Sequence, residues 1–128
     1  MNQPCACQCG SEPEETRLVF PCSGAADVGE VSDRAARWMT RAGTGDMYCL
    51  AGIGGRVSGI MASTAAANKI LAIDGCPQEC ARKTLEQAGF TGFYHLKLDA
   101  LGLKKRHTPP TDEVVHRVAE AGAVLLNT

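Results

Sequence analysis

The stretch KILAIDGCPQEC, residues 69–80, decides how we expect this chain to fold. Its first part, Lys69 to Ile73, is an apolar run typical of a buried strand. The run ends at Asp-Gly, and the chain resumes at Pro77, a residue favoured at the first position of a helix. One thiol stands on each side of this restart, at Cys76 and Cys80. The stretch therefore predicts a strand-to-helix turn that carries two cysteines, and we expect the function to depend on it.

The same strand-helix alternation continues on both sides of this turn. Further apolar strands are predicted at Arg17 to Phe20, Met47 to Ala51 and Phe93 to Leu98. Helices are predicted from Asp27 to a stop at Gly43, over Val57 to Thr64 after a glycine-rich turn, from Pro77 to a stop at Gly89, and after a cap at Thr111 with an interruption at Gly122. This pattern favours a small three-layer α/β fold, Rossmann-like or flavodoxin-like, in which helices cover both faces of a parallel sheet of about four strands. We predict the strand order 2-1-3-4; the alternative exchanges the first two strands.

Length and charge limit the classes of protein to consider. With 128 residues the chain is long enough for one domain, predicted at 17–128. The chain has 13 Lys and Arg against 14 Asp and Glu, and its sequence shows no basic stripe. Both observations argue against nucleic acid as a partner. The dense basic run, Lys104 to His107, is interpreted as a solvated loop. Without an apolar stretch near 18 residues or a signal-like N-terminus, we expect no membrane contact and a cytoplasmic location.

The seven cysteines are an unusual number for a domain of this size. In a reducing compartment, clustered thiols more often bind metal or carry out redox chemistry than form disulfides. Three of them, Cys5, Cys7 and Cys9, alternate within residues 1–16, whose composition predicts a flexible tail. They could bind a soft metal ion or sulfur as an auxiliary site, or be an idle end of the chain.

The other four cysteines share a position in the predicted fold. Cys22, Cys49 and Cys76 are separated by 27 residues in each case, and each is at or just after the end of a predicted strand. Because the carboxyl ends of parallel strands meet at one edge of the sheet, we expect the three thiols on that edge. Cys80 should join them from one turn inside the following helix, whose N-terminus favours the thiolate form.

Distances permit these four thiols to share one ion. Neighbouring strands lie about 4.8 Å apart, and four sulfurs around Zn²⁺ lie roughly 3.8 Å apart. The competing interpretation is that the cysteines are small buried hydrophobic residues. The Cys-x-x-x-Cys spacing of Cys76 and Cys80 also departs from the two-residue spacing of thioredoxin-type redox motifs.

Three runs of this sequence resemble a known family. They are FPCSGAADVGEVSDRAAR at 20–37, CLAGIGGRVSGI at 49–60 and AIDGCPQECARKTLEQAGF at 72–90. Each is similar to the DGC domain family, which takes its name from the central Asp-Gly-Cys, and the similarity extends from Arg17 to the C-terminus. The resemblance implies a zinc-binding domain with Cys22, Cys49, Cys76 and Cys80 as the four ligands. It implies no enzymatic activity.

Several polar groups and glycines have roles that the sequence also predicts. Asp74 could orient a ligand or accept a proton, but we expect it to cap the third helix. Ser23 and Arg56, in loops on the same edge, could bind an anion or offset thiolate charge. The glycines between residues 52 and 59 match neither a dinucleotide fingerprint nor a P-loop. Structural or surface roles away from the cysteine edge are predicted for the histidines at 95, 107 and 116.

Three hypotheses follow from these patterns. The first is a protein that binds one Zn²⁺ through the four cysteines, for metal handling, sensing or a structural role. The second is a thiol, sulfur-transfer or redox enzyme in which Cys76 or Cys80 is the nucleophile. The third is an iron–sulfur protein, because four thiolates suit iron as well as zinc. In each, the partners would be a metal ion and a metal- or sulfur-transfer protein.

Overall fold

The fold is built on a parallel sheet of four strands. The computed structural model describes residues 15–128. Its strands are β1 (Arg17–Pro21), β2 (Asp46–Met47), β3 (Lys69–Asp74) and β4 (Tyr94–Lys97). Their order in the sheet is β2-β1-β3-β4, and each neighbouring pair is parallel. This is the predicted order 2-1-3-4.

Helices cover both faces of the sheet. Within residues 15–128 the α-helices are α1 (Asp27–Ala42), α2 (Leu50–Gly54), α3 (Ser58–Ala66), α4 (Cys80–Gln87) and α5 (Asp112–Leu126), and a 3-10 turn covers Leu98–Leu101. Successive side chains of a strand point to opposite faces. Val19 of β1 accordingly packs in the core beneath α1 and α5, whereas Leu18 and Phe20 pack with Ile53 and Leu85 of α2 and α4. The three-layer α/β prediction is confirmed.

The second strand is shorter than predicted. It ends at Met47, and its neighbour Tyr48 still donates its N–H to the carbonyl of Val19 at 2.8 Å. The chain then enters α2, for which Cys49 is the N-cap. The glycine-rich run after it is helical rather than a turn, because the burial of Ile53 in the core outweighs the low helix propensity of glycine.

The helix after the Asp-Gly-Cys motif begins later than predicted. Cys76 to Glu79 form a turn closed by the N–H of Glu79 and the carbonyl of Cys76 at 3.2 Å, with Pro77 at a position that proline favours in turns. Glu79 has a left-handed backbone with φ 56°, and α4 starts only at Cys80. Cys80 is therefore the first residue of α4 rather than one turn inside it.

The last helix continues through Gly122 without the predicted interruption. A Cβ atom at Gly122 would stand 3.0 Å from the Sδ atom of Met39 in α1 and 3.1 Å from a methyl of Leu71 in β3. The glycine thus allows α5 to approach α1 and the sheet closely. The cap predicted at Thr111 is confirmed, since its hydroxyl accepts the N–H of Val114 at 3.3 Å.

Two predictions concern the ends of the chain and its environment. The tail thiols Cys5, Cys7 and Cys9 lie outside the described residues, so their predicted role stays a prediction. In the part that the structure describes, none of the helices has the length and apolarity needed to span a membrane.

Candidate functional site

The carboxyl edge of the sheet carries all four cysteines of the described chain. Cys22 directly follows β1, Cys49 follows β2, Cys76 follows β3, and Cys80 begins α4. None of these four forms a disulfide; Cys22 and Cys76 are half-buried, and Cys49 and Cys80 are exposed. The edge placement expected from the sequence is therefore what the structure shows for these residues.

Three of the four thiols line one cleft. Cys22, Cys76 and Cys80 lie in its wall, and its volume is about 760 Å³. Cys49 instead lines a neighbouring groove of about 520 Å³, and Leu50 contributes to both spaces. The four positions thus divide into a group of three and one thiol beside it.

The thiols do not form a ready-made metal site in this geometry. Among residues 15–128, no three Cys, His, Asp or Glu side chains stand close enough together to hold a metal ion. The predicted tetrahedral four-thiolate arrangement would require the thiols to move towards one another.

Cys22 is held in place by hydrogen bonds. Its Sγ atom accepts the N–H of Gly75 at 3.0 Å, and its S–H group points to the hydroxyl of Ser32 at 3.7 Å. That hydroxyl in turn donates to the carbonyl of Val28 at 2.9 Å. Burial raises the pKa of the Cys22 thiol, and the hydrogen bond from the N–H of Gly75 opposes this effect less strongly. The protonated form is thus the resting state of Cys22.

Asp74 is the buried acceptor at the start of α4. One carboxylate oxygen accepts the N–H of Ala81 at 2.8 Å, and the other accepts the N–H of Arg82 at 3.0 Å. Glu79, at the N-cap position, provides no side-chain cap of its own. Asp74 therefore caps α4 from the preceding strand, which confirms its predicted role and fixes the helix that carries Cys80.

His95 is closer to the cysteine edge than predicted. Its Nε2 atom lies 2.8 Å from a carboxylate oxygen of Asp74, and its Nδ1 atom lies 4.0 Å from a carboxylate oxygen of Glu79. Glu79 also pairs with Lys97 at 3.3 Å and with Arg82. No local pattern could have revealed this network, because it depends on the register between β3 and β4.

The other predicted polar residues have structural partners. The hydroxyl of Ser23 donates to a carboxylate oxygen of Asp33 at 2.8 Å. The guanidinium of Arg56 donates to the carbonyl oxygens of Ile53 at 2.7 Å and Gln87 at 3.0 Å, at the ends of α2 and α4. Its contacts with these helix ends account for Arg56 without a ligand.

The glycine of the Asp-Gly-Cys motif is required by a close approach of two backbones. A Cβ atom on Gly75 would lie 2.7 Å from the carbonyl oxygen of Val28 in the first turn of α1. Only glycine lets the β3–α4 turn pack this tightly on α1 while its N–H reaches Cys22. The three motif residues thus have separate tasks: Asp74 caps α4, Gly75 fits against α1, and Cys76 faces the cleft.

Replacement of Gly75 by alanine is expected to lower the free energy of unfolding by about 2 kcal/mol, since the added methyl overpacks a rigid helix backbone. Urea denaturation of the reduced protein, followed by circular dichroism, measures this. Gly59→Ala is the matched control, because no atom stands within 4 Å of a Cβ there. A similar change in both variants would show that the close packing at Gly75 is not the cause.

Two basic residues of the β4–α5 loop complete the cleft. Lys105 and Arg106 belong to its lining, although the sequence suggested only a solvated loop. Asp27 holds this loop against α1: its carboxylate accepts the N–H groups of Arg106 at 2.9 Å and Thr108 at 3.0 Å. These bonds, that of Arg106 first, keep the pKa of the Asp27 carboxyl below its usual range. The contact joins residues far apart in the chain, so no sequence pattern could have shown it.

Two comparisons with known proteins give a match to this sequence. The family model described as DGC domain matches residues 18–121. The chain is also 37% identical over 90 residues to the "Anaerobic and virulence modulator AnvM" of Pseudomonas aeruginosa, an alignment that covers 70% of this chain and 69% of AnvM. No solved structure matches the chain.

Proposed function

The chain belongs to the DGC domain family, and we propose that it is a cytoplasmic regulatory protein whose cysteine edge binds a thiophilic metal ion. Zn²⁺ is the first candidate ion, with Cys22, Cys49, Cys76 and Cys80 as its ligands. The regulatory part of the proposal extends to this chain the description of AnvM as a modulator. The metal part rests on one observation, the gathering of Cys22, Cys76 and Cys80 around the same cleft.

The chemistry of the donors supports a soft metal. Thiolate sulfur selects Zn²⁺, Cu⁺ or iron–sulfur clusters over hard cations such as Mg²⁺ and Ca²⁺. The half-buried Cys22 is fixed by Gly75, whereas Cys49 and Cys80 are exposed, and the N-cap residue Cys49 makes no side-chain cap bond. The two exposed side chains can therefore turn towards a shared ion at little cost in broken hydrogen bonds.

Binding must also displace the proton of Cys22. A thiol binds metal as the thiolate, so the raised pKa of Cys22 makes ligation by this residue more demanding than ligation by a free cysteine. We therefore expect metal uptake to release protons and to weaken as the pH falls.

Cobalt substitution tests the metal proposal. Co²⁺ added anaerobically to the reduced protein should give the intense visible bands of tetrahedral cobalt and the ultraviolet bands of thiolate-to-cobalt charge transfer, saturating at one ion per chain. Addition of Zn²⁺ should remove both sets of bands. A weak octahedral spectrum, or a stoichiometry far below one, would refute binding at the cysteine edge.

Colour after anaerobic purification distinguishes the alternative cofactor. An iron–sulfur cluster on the same thiolates would give a brown protein with broad visible absorption that bleaches on reduction. A colourless preparation that contains zinc favours the first candidate. Serine variants of the four cysteines would assign either cofactor to this edge and separate it from any binding by Cys5, Cys7 and Cys9.

A further inference from the structure

The cleft is much larger than a metal ion needs. Its volume of about 760 Å³ falls within the range of roughly 300–1,000 Å³ that is typical of sites for small organic molecules. Three thiols occupy only part of its wall, and the rest is formed by the β1–α1 loop, the start of α1, Leu50 of α2, Gln78 and the β4–α5 loop. The cleft therefore has room for a small organic molecule as well as for an ion.

The wall divides into an apolar and a cationic part. Ala25, Ala26 and Leu50 give the apolar surface, and the β4–α5 loop contributes Lys105 and Arg106. Neither basic side chain forms an ion pair with another residue between 15 and 128, as the pairs found there involve other cations. A ligand with an anionic group could therefore bind both without breaking an existing pair.

Hydrogen bonds hold the backbone of the cationic part in place. Asp27 fixes the backbone of Arg106 and Thr108, and the Thr108 hydroxyl donates to the carbonyl of Lys104 at 2.7 Å. Asp27 also lines the cleft, but its oxygens already accept three N–H groups, including that of Val28 at 2.8 Å. Its charge is thus largely engaged, and Lys105 and Arg106 determine the charge that an incoming ligand meets.

We infer that this cleft binds an anionic low-molecular-weight disulfide of the glutathione class and exchanges it with Cys80. The ligand's carboxylates match Lys105 and Arg106, its body fits the apolar wall, and its sulfur atoms meet the thiols. The inference rests on the proposed regulatory use of the cysteine edge, but it needs no bound metal.

Cys80 is the residue best placed for the exchange. Its side chain is exposed, whereas Cys76 is half-buried and Cys22 is both half-buried and hydrogen-bonded. In the exchange, the Cys80 thiolate attacks one sulfur of the disulfide, a Cys80–S–S bond forms, and the original S–S bond breaks. The departing thiolate takes up the proton that Cys80 has given to solvent, so no further oxidant is needed.

This exchange would control the proposed metal site directly. Cys80 in a mixed disulfide cannot act as a ligand, and the attached group would occupy the cleft that Cys22 and Cys76 also line. Attack by a free low-molecular-weight thiol reverses the step and restores Cys80. The site would thus report the ratio of disulfide to thiol in the cell.

The test uses the full-length, metal-free, reduced protein and glutathione disulfide as the probe. Intact mass and peptide mapping follow the rate at which each of the seven cysteines gains one glutathionyl group. Lys105→Glu combined with Arg106→Glu should slow modification of Cys80 about 10-fold, because reversing local charge repels an anionic ligand. Lys104→Glu is the matched control, a neighbouring charge reversal outside the cleft lining, and should change the rate less than 2-fold.

A neutral disulfide separates charge recognition from exposure of the thiol. With 2-hydroxyethyl disulfide, the double variant and the natural protein should react equally at Cys80. The inference would be overturned if the double variant reacted more slowly with both disulfides to the same extent, or if Lys104→Glu slowed the reaction with glutathione disulfide as much as the double variant does. It would also be overturned if Cys49 reacted with glutathione disulfide as fast as Cys80. Because metal is absent throughout, these outcomes are independent of whether the protein binds zinc.

Discussion

Replacing Asp74 by alanine is expected to lower the free energy of unfolding by about 3 kcal/mol, from the loss of hydrogen bonds between a buried carboxylate and two backbone N–H groups. Asp74 is only 1% exposed, so water cannot replace the lost acceptor. The N–H groups of Ala81 and Arg82 would be left without their partner, and His95 would lose a contact at 2.8 Å. Urea denaturation of the reduced, metal-free protein measures the change.

Two variants divide this effect among its sources. Asp74→Asn keeps one acceptor oxygen and the shape of the side chain, and should cost about half as much as Asp74→Ala. His95→Ala removes the histidine contact alone and should cost about 1 kcal/mol. A loss below about 1 kcal/mol for Asp74→Ala would mean that Asp74 does not hold the start of α4 in the way described.

Replacing Cys76 by serine is expected to weaken zinc binding by at least about 100-fold. Even the loss of a residue that only supports a metal ligand typically lowers metal affinity by about 10–100-fold. Cys76 is one of the three thiols that line the cleft, and it is the third residue of the Asp-Gly-Cys motif, after Asp74 and Gly75. Cys49→Ser should weaken binding by only about 10-fold, because Cys49 begins in the neighbouring groove and must move to reach the ion.

Competition with a chromophoric chelator under anaerobic conditions gives both affinities. Circular dichroism of each metal-free variant shows whether the fold is retained, and Ser63→Ala, an exposed change on α3, serves as the control for handling. Equal losses for Cys49→Ser and Cys76→Ser would show that the ion draws all four thiols together equally. No loss of zinc affinity for Cys76→Ser would show that the cleft is not part of the metal site.

The local signals in this chain were sufficient for most of its fold. The apolar run of β3, the helix from Asp27 to its stop at Gly43 and the cap at Thr111 each depend on neighbours in sequence, and each prediction was confirmed. The capping role of Asp74 also followed from its place before a helix, although the helix begins at Cys80 rather than Pro77. The left-handed Glu79 that delays it has no sequence signature.

The site depended on information that a single sequence does not hold. Strand-end positions placed the cysteines on one edge, but the division between the cleft and the groove follows from the early end of β2 and the start of α2 at Leu50. His95 reaches Asp74 through strand register, and Arg106 reaches Asp27 across 79 residues. Such long-range contacts arise from packing, which the spacing of residues along the chain does not encode.

Metal content of the natural protein tests the central claim most directly. The full chain would be produced in zinc-replete cells, purified without oxygen or chelators, and analysed by native mass spectrometry together with elemental analysis. We predict one Zn²⁺ per chain, lost when Cys22, Cys76 and Cys80 are all replaced by serine. Protein that carries no thiophilic metal while all its thiols remain reduced would contradict the account.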